Sequence, residues 1–177
     1  IASQPGWTGD LGCLISPAHL ERVRAHVDNA VSSGATVLAG GRARPDIAPL
    51  AFEPTVLEGV TEGMTLCREE TFGPVTSVYR VFDDEEAVRR ANDTKYGLNA
   101  SILTRDLRTG RRLARRLNTG SVNINEGYAA SWGSTGAAMG GVGDSGLGHR
   151  HGPGGLLNYT EPQTIATQRL LGFGPQL

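Results

Sequence analysis

The chain is organised around Glu69-Glu70-Thr71-Phe72-Gly73-Pro74-Val75, which continues into Thr76-Ser77-Val78-Tyr79-Arg80-Val81-Phe82. Two carboxylates, a ring and a Gly-Pro turn precede an alternating run that predicts a β-strand. In α/β proteins, ligands bind at strand ends and in the loops beside them. A carboxylate there suits a diol such as ribose, because it accepts two hydrogen bonds at once. A nearby ring can pack against a flat heterocycle. These residues alone leave open a simpler interpretation, an acidic turn with one anchored phenylalanine.

Amphipathic helices and β-prone runs alternate on both sides of this stretch. Ser16 and Pro17 are typical of a helix start, and Ser32-Ser33-Gly34 of a helix end. Further helices are predicted from Asp83, over 106–116 and over 152–159, and strands over 36–39, 54–60, 75–82, 99–104, 120–125 and 164–170. The segment 127–148 is predicted to be a loop. This order indicates an α/β fold, with a largely parallel sheet and flanking helices.

Composition narrows the classes of partner. The formal net charge is -1 and 38% of the residues are hydrophobic, which indicates neither a nucleic-acid nor a membrane partner. No apolar run approaches the length of a membrane-spanning helix. Two cysteines cannot form a disulfide framework, so we expect a reducing compartment, the cytoplasm.

The charged and titratable clusters predict surfaces rather than sites. His149 and His151 flank Arg150, a cation that repels metal ions, so we expect the four histidines to lie on the surface and no metal site to exist. An arginine-rich helix carries a predicted buried stripe of Leu107, Ala114 and Leu117. Its arginines then form a solvated face: Arg105, Arg108, Arg111, Arg112, Arg115 and Arg116.

Several motifs occur in an order and spacing that resemble one family. They are Gly34–Gly41, Pro54–Leu57, Glu69–Val75, Tyr96–Ile102, Thr119–Asn125 and Gly140–Gly148. Together the motifs resemble those of NAD(P)-dependent aldehyde dehydrogenases over almost the whole chain. Within that family the sequence is most similar to succinate-semialdehyde dehydrogenases. Three departures are Ala138-Met139 in place of Pro-Phe, Gly143 in place of a lysine, and His149 in place of an arginine.

The resemblance implies a division of the chain and a reaction. Residues 1–160 would be the C-terminal part of the catalytic domain, and 161–177 a strand and tail at an oligomer interface. The protein would oxidise an aldehyde to the acid through a cysteine thioester, with hydride transfer to NAD or NADP. The full-length protein would be a homo-oligomer.

The resemblance also assigns cofactor residues within the central stretch. Glu70 would hold the nicotinamide ribose hydroxyls, and Phe72 would pack beside the nicotinamide ring. Glu69 would serve the local structure instead.

Further along the chain, the resemblance implies residues on the substrate side. Asn125 would end a strand that forms one wall of the catalytic pocket. Tyr128 and Trp132 would line the aldehyde channel, although two loop aromatics that simply pack down remain an alternative. Ser134 and Arg150 are candidate partners for a substrate carboxylate.

Neither cysteine has the features of the nucleophile. Aldehyde oxidation of this type needs a thiolate, and the carboxylates beside Cys67 disfavour its ionisation. We expect Cys13 and Cys67 to be small buried or half-buried hydrophobes. In the family the nucleophile, the general base and the phosphate-binding portion precede the segment that this chain resembles.

Two interpretations therefore stay open. The chain begins at Ile1, and we interpret it as a piece of a longer aldehyde dehydrogenase that is inactive on its own. The alternative is a non-catalytic α/β module that acts as a binding or assembly partner. A Gly-Gln-Xaa-Cys type segment encoded immediately upstream would favour the enzyme.

Overall fold

The computed structural model describes residues 9–168. Contacts divide the chain into two compact units, Ile1–Ala87 and Val88–Leu177. The domain limits predicted from the resemblance, 1–160 and 161–177, are a different division and stay a prediction. Among the described residues, every helix is too short or too polar to cross a membrane.

The first unit is a small mixed sheet with two helices. Its elements in order are α1 (Pro17–Ser32), β1 (Thr36–Ala39), β2 (Thr55–Glu58), α2 (Thr65–Arg68) and β3 (Val75–Val78). Strand β2 lies in the middle of the sheet, antiparallel to β1 and parallel to β3. Strand β3, which follows the central stretch, is therefore an edge strand among the described residues.

Helix α1 begins and packs as its sequence dictates. The Ser16 hydroxyl accepts a hydrogen bond from the His19 backbone N–H at 3.2 Å, and Pro17 takes the first turn. Val23, Val27 and Ala30 recur at helical spacing and are buried. The core of the unit consists of Val23, Val27, Ala30, Ala35, Phe52, Leu57, Val60 and Met64.

The second unit is built from shorter elements. Helix α3 (Asp84–Asn92) crosses the boundary between the units, and Asp83 caps it by accepting from the Glu86 N–H at 2.8 Å. The elements that follow are β4 (Tyr96–Gly97), β5 (Asn99–Ile102), α4 (Leu107–Ala114), β6 (Ser121–Ile124), α5 (Ala129–Gly133), β7 (Val142–Gly143) and α6 (Gly152–Leu157). Strands β5 and β6 pair in parallel, whereas β4 and β7 pair antiparallel.

Helix α4 packs differently from the predicted stripe. Leu107 is 50% exposed, so its predicted burial is wrong. Gly110 is the buried position of this helix, and a Cβ there would lie 3.0 Å from Thr104 Cγ2 and 3.2 Å from Ile124 Cγ2. The helix therefore approaches β6 through a glycine rather than through a leucine.

The α/β class is confirmed, and the differences lie in the pairing and in short elements. Within residues 9–168 the strands form three small sheets, with parallel pairing in β2/β3 and β5/β6. Helix α5 and strand β7 lie in the segment predicted to be a loop. Residues 164–168 of the predicted terminal strand form no strand, and the remainder of it lies outside the described residues.

Candidate functional site

The central stretch forms a loop, Glu69–Val75, that is fixed from behind. Thr71 is buried, and its hydroxyl lies 3.1 Å from His26 Nδ1. The Pro74 carbonyl accepts a hydrogen bond from the Thr55 N–H at 2.8 Å, which joins the loop to β2. The loop thus has a buried inner side, and its outer side remains accessible.

Phe72 occupies a strained and exposed position on that outer side. Its φ is 52°, in the left-handed region that bulky residues avoid, and the residue is 72% exposed. Its carbonyl accepts a hydrogen bond from His19 Nε2 at 2.8 Å, and the two ring centroids are 6.2 Å apart. Such a conformation costs on the order of 1–3 kcal/mol and persists where the surroundings enforce it, as at ligand-binding sites.

The two glutamates of the loop have different surroundings. The Glu69 carboxylate lies 3.8 Å from His26 Nε2, on the helix side of the loop. Glu70 is exposed, and within residues 9–168 its carboxylate makes no hydrogen bond or ion pair. Of the two, Glu70 therefore has both carboxylate oxygens unpaired within residues 9–168, and its cofactor role stays a prediction.

Gly73 allows the loop to approach α1 closely. A Cβ at this position would lie 2.7 Å from Val23 Cγ2. We expect Gly73→Ala to lower the free energy of unfolding by about 1–3 kcal/mol, the usual range for overpacking a core. Gly63→Ala is the matched control, because a Cβ there meets nothing within 4 Å. Denaturant unfolding followed by circular dichroism measures both variants, and equal stabilities would contradict the close approach.

In the second unit, Asn125 has a clear structural partner. Its φ is 59°, and its side-chain oxygen accepts a hydrogen bond from the Thr104 N–H at 2.7 Å. Its own N–H donates to the Ile102 carbonyl at 2.8 Å. These bonds fix the turn that leaves β6, and a substrate role for Asn125 stays a prediction.

Glu126, which the sequence did not single out, positions the two aromatic candidates. One carboxylate oxygen accepts from the N–H groups of Tyr128 at 3.1 Å and Ala129 at 2.9 Å, and the other accepts from Ala130 at 3.1 Å. The side chain therefore caps α5, which carries Trp132. The feature of the sequence that indicates this role is a carboxylate two residues before Tyr128.

Tyr128 and Trp132 lie together at α5. Their ring centroids are 6.3 Å apart with an interplanar angle of 45°. The Tyr128 hydroxyl lies 3.7 Å from Sδ of the buried Met139, whereas Trp132 is 58% exposed. The Tyr128 side chain is therefore partly buried against Met139. Trp132 is the member of the pair that is accessible to a ligand.

The Glu126 cap makes α5 sensitive to pH. Hydrogen bonds from the backbone N–H groups, that of Ala130 first, lower the pKa of Glu126. A lowered pKa stabilises the fold above the ordinary titration range of a glutamate, and this contribution is lost as pH falls through the folded-state pKa. We expect Glu126→Gln to lower Tm near neutral pH, with the difference closing in acid. Calorimetry across pH measures this, with the exposed Glu161→Gln as control. A Tm difference independent of pH would contradict the assignment.

A buried amide network supports the base of α5. Asn123 donates to Asn99 Oδ1 at 2.8 Å and to the Gly127 carbonyl at 2.9 Å, and its own oxygen accepts from the Ser131 hydroxyl at 2.8 Å. Beside this network lies an open pocket of about 370 Å³. Its lining includes Ser134 but neither Tyr128 nor Trp132.

Gly143, one of the departures from the motif pattern, lies in the glycine-rich segment after α5. It has a φ of +59°, and a Cβ there would collide with the Lys95 carbonyl. A side chain at position 143 would therefore strain this backbone. Lys95 itself lies 3.2 Å from Asp144, and this hydrogen bond raises the pKa of the lysine.

The histidines and cysteines require two corrections. His26 is only 7% exposed, so the predicted surface position is wrong for this residue. His26 falls on the apolar stripe of α1, and this spacing is the feature of the sequence that indicates its burial. Cys13 is exposed, so its predicted burial is also wrong; it lies in a segment without helix or strand that precedes α1. Cys67 is half-buried against the core, as predicted.

The predicted site residues thus form two groups. Glu70 and Phe72 lie on one loop of the first unit, and Tyr128 and Trp132 lie at α5 of the second. The model of the aldehyde dehydrogenase family matches residues 4–165 of the chain. The chain belongs to the aldehyde dehydrogenase family. The resemblance carried by the motifs is confirmed.

Two curated relatives of this aldehyde dehydrogenase chain are mycobacterial. A protein of Mycobacterium tuberculosis named "putative succinate-semialdehyde dehydrogenase (NADP+) 2" is 57% identical over 166 residues, which are 94% of this chain and 32% of the relative. A protein of Mycolicibacterium smegmatis with a similar name is 51% identical over 177 residues, 100% of this chain and 34% of the relative. The chain therefore spans about a third of these relatives.

Solved aldehyde dehydrogenases share the fold. Succinate-semialdehyde dehydrogenase from Burkholderia pseudomallei is 38% identical with a TM-score of 0.77, covering 88% of this chain and 32% of that one. An aldehyde dehydrogenase of Mycobacterium tuberculosis in complex with NAD+ is 30% identical with a TM-score of 0.83, covering 91% and 33%.

Proposed function

We propose that this chain is the C-terminal part of the catalytic domain of an NAD(P)-dependent aldehyde dehydrogenase that oxidises succinate semialdehyde. The observation that carries the proposal is the Glu69–Val75 loop. It presents an unpaired carboxylate at Glu70 and an exposed ring at Phe72, and its inner side is buried. Names of the mycobacterial and Burkholderia relatives support the choice of aldehyde.

The residues of this loop fit the nicotinamide end of the cofactor. A carboxylate that has no other partner within residues 9–168 can accept both hydroxyls of a ribose. An exposed phenylalanine ring on a constrained backbone can bound one side of a flat ring. Bound NAD(P) would accept the hydride that leaves the substrate carbon.

The remaining steps need groups that this chain does not supply. In the proposed reaction, a cysteine thiolate encoded upstream adds to the aldehyde carbon. Loss of hydride leaves a thioester, and water then cleaves it to release the acid and restore the thiol. The chain's own contribution is to orient the cofactor through Glu70 and Phe72. Tyr128 and Trp132 would bound the aldehyde side.

A direct experiment tests this function. The coding sequence upstream of Ile1 is read, and the full-length protein is assayed with succinate semialdehyde and either NAD+ or NADP+. We expect a Gly-Gln-Xaa-Cys type segment upstream and aldehyde-dependent formation of NAD(P)H. A full-length protein that binds no nicotinamide cofactor and oxidises no aldehyde would instead favour the non-catalytic module.

We also propose a homo-oligomer that involves the tail. The exposed Ile165 lies within residues 161–168, which form no helix or strand. We propose that this β-prone segment, which forms no strand within the described residues, pairs with a partner subunit. We expect the full-length protein to be an oligomer in light scattering and to dissociate when the residues from Thr164 onward are deleted. A monomer that the deletion leaves unchanged would contradict the proposal.

A further inference from the structure

One face of helix α1 is built against the Glu69–Val75 loop. His19, Val23 and His26 follow one another at intervals of about one helical turn and therefore lie on the same side of the helix. His19 donates to the Phe72 carbonyl at 2.8 Å, and Val23 lies against Gly73. The helix thus contacts the loop at several consecutive points.

His26 is the buried member of this face. Its Nδ1 lies 3.1 Å from the hydroxyl of Thr71, which is also buried. Its Nε2 lies 3.8 Å from the Glu69 carboxylate, a distance longer than a hydrogen bond, so that contact is electrostatic. In the tautomer with its proton on Nε2, the N–H faces Glu69 and Nδ1 accepts a hydrogen bond from the Thr71 hydroxyl.

These two contacts fall on either side of Glu70. Glu69 and Thr71 are its chain neighbours, so the hydrogen bond between His26 and Thr71 restricts the backbone from which the Glu70 side chain projects. The next residue, Phe72, keeps a left-handed φ of 52°. Such a conformation requires surroundings that enforce it. A purely apolar residue at position 26 would fill the core but could not hold the Thr71 hydroxyl.

We propose that His26 is a positioning residue for the cofactor: through Thr71 it fixes the orientation of Glu70 toward the nicotinamide ribose. The inference rests on the proposed function. His26 touches neither substrate nor cofactor in this scheme and acts only through the loop. Its loss should therefore affect the hydride step more than aldehyde binding.

The test compares matched variants of the full-length protein. His26→Leu and Thr71→Val keep the approximate volume and remove the polar contact, whereas His26→Asn and Thr71→Ser keep a polar atom for it. Val27→Ala is the control for stability alone, because Val27 is buried in the same helix and core. The measurements are the hydride-transfer rate, KM for cofactor and aldehyde, Tm, and backbone hydrogen exchange of a peptide covering the loop.

We expect His26→Leu and Thr71→Val to slow hydride transfer about tenfold, as loss of one well-placed hydrogen bond does. KM for the aldehyde should stay within about twofold, and exchange of the loop amides should rise. His26→Asn and Thr71→Ser should recover most of the rate. Val27→Ala should lower Tm without either the kinetic loss or the faster loop exchange.

Two results would overturn the inference. One is unchanged loop exchange and unchanged hydride transfer in His26→Leu. The other is an equal kinetic loss in Val27→Ala, which would reduce His26 to a core residue. A wild-type protein without aldehyde-dependent NAD(P)H formation would overturn the proposed function instead. Even in that case, the hydrogen exchange of the loop amides tests whether His26 restricts the loop. An unchanged exchange rate in His26→Leu would refute this restriction, and a faster rate would support it.

Discussion

Glu70→Gln in the full-length protein is expected to slow hydride transfer by about 10- to 100-fold. The substitution keeps the shape of the side chain but removes the charge from hydrogen bonds to the ribose, and such bonds contribute roughly 1.5–3 kcal/mol each. Glu70 is exposed, and its carboxylate makes no hydrogen bond or ion pair within residues 9–168, so the change should not disturb the fold. Single-turnover kinetics with saturating aldehyde measures the step.

Glu69→Gln is the matched control for this prediction. Its carboxylate faces His26 at 3.8 Å, on the helix side of the loop. We expect this variant to retain cofactor affinity and hydride transfer within about threefold, the range of a weak exposed contact. If Glu69→Gln impairs both while Glu70→Gln impairs neither, the cofactor role belongs to the other carboxylate.

The 177-residue chain on its own is expected to show no aldehyde dehydrogenase activity. We expect the nucleophile to lie outside this chain. Cys67 packs against the core of the first unit, and Cys13 lies exposed in a segment without helix or strand. The expected effect is a complete loss relative to the full-length protein. Spectrophotometry of NAD(P)H formation with several aldehydes measures it.

Cys67→Ala provides the control for this second prediction. We expect no change in either the isolated chain or the full-length enzyme beyond a small loss of stability. Measurable NAD(P)H formation by the isolated chain that disappears in Cys67→Ala would contradict the prediction and would identify Cys67 as the nucleophile.

Local signals in the sequence predict the helix starts well. Ser16, Asp83 and Asp106 cap α1, α3 and α4 through the side-chain oxygens that their residue types suggest. These contacts span only two or three residues, so the local sequence contains the whole interaction. The order of helices and strands that follows from them suffices for the α/β class.

Long-range contacts are what the sequence could not predict. The bond between His26 and Thr71 joins residues 45 positions apart, and no local pattern pairs them. The local sequence therefore predicts a surface position for this histidine. Helix α5 is missed for a different, local reason: the Glu126 carboxylate rather than a strong helical sequence holds its first turn, through bonds over three and four residues.

We propose that this chain supplies the nicotinamide side of the site and that the nucleophile lies outside it. Mapping the acyl thioester tests this most directly: the full-length protein turning over an aldehyde with NAD(P) is quenched in acid, digested and analysed by mass spectrometry. We predict that the acyl group lies on a cysteine outside these 177 residues, with Cys13 and Cys67 unmodified. An acyl group on Cys67 or Cys13 would contradict the claim.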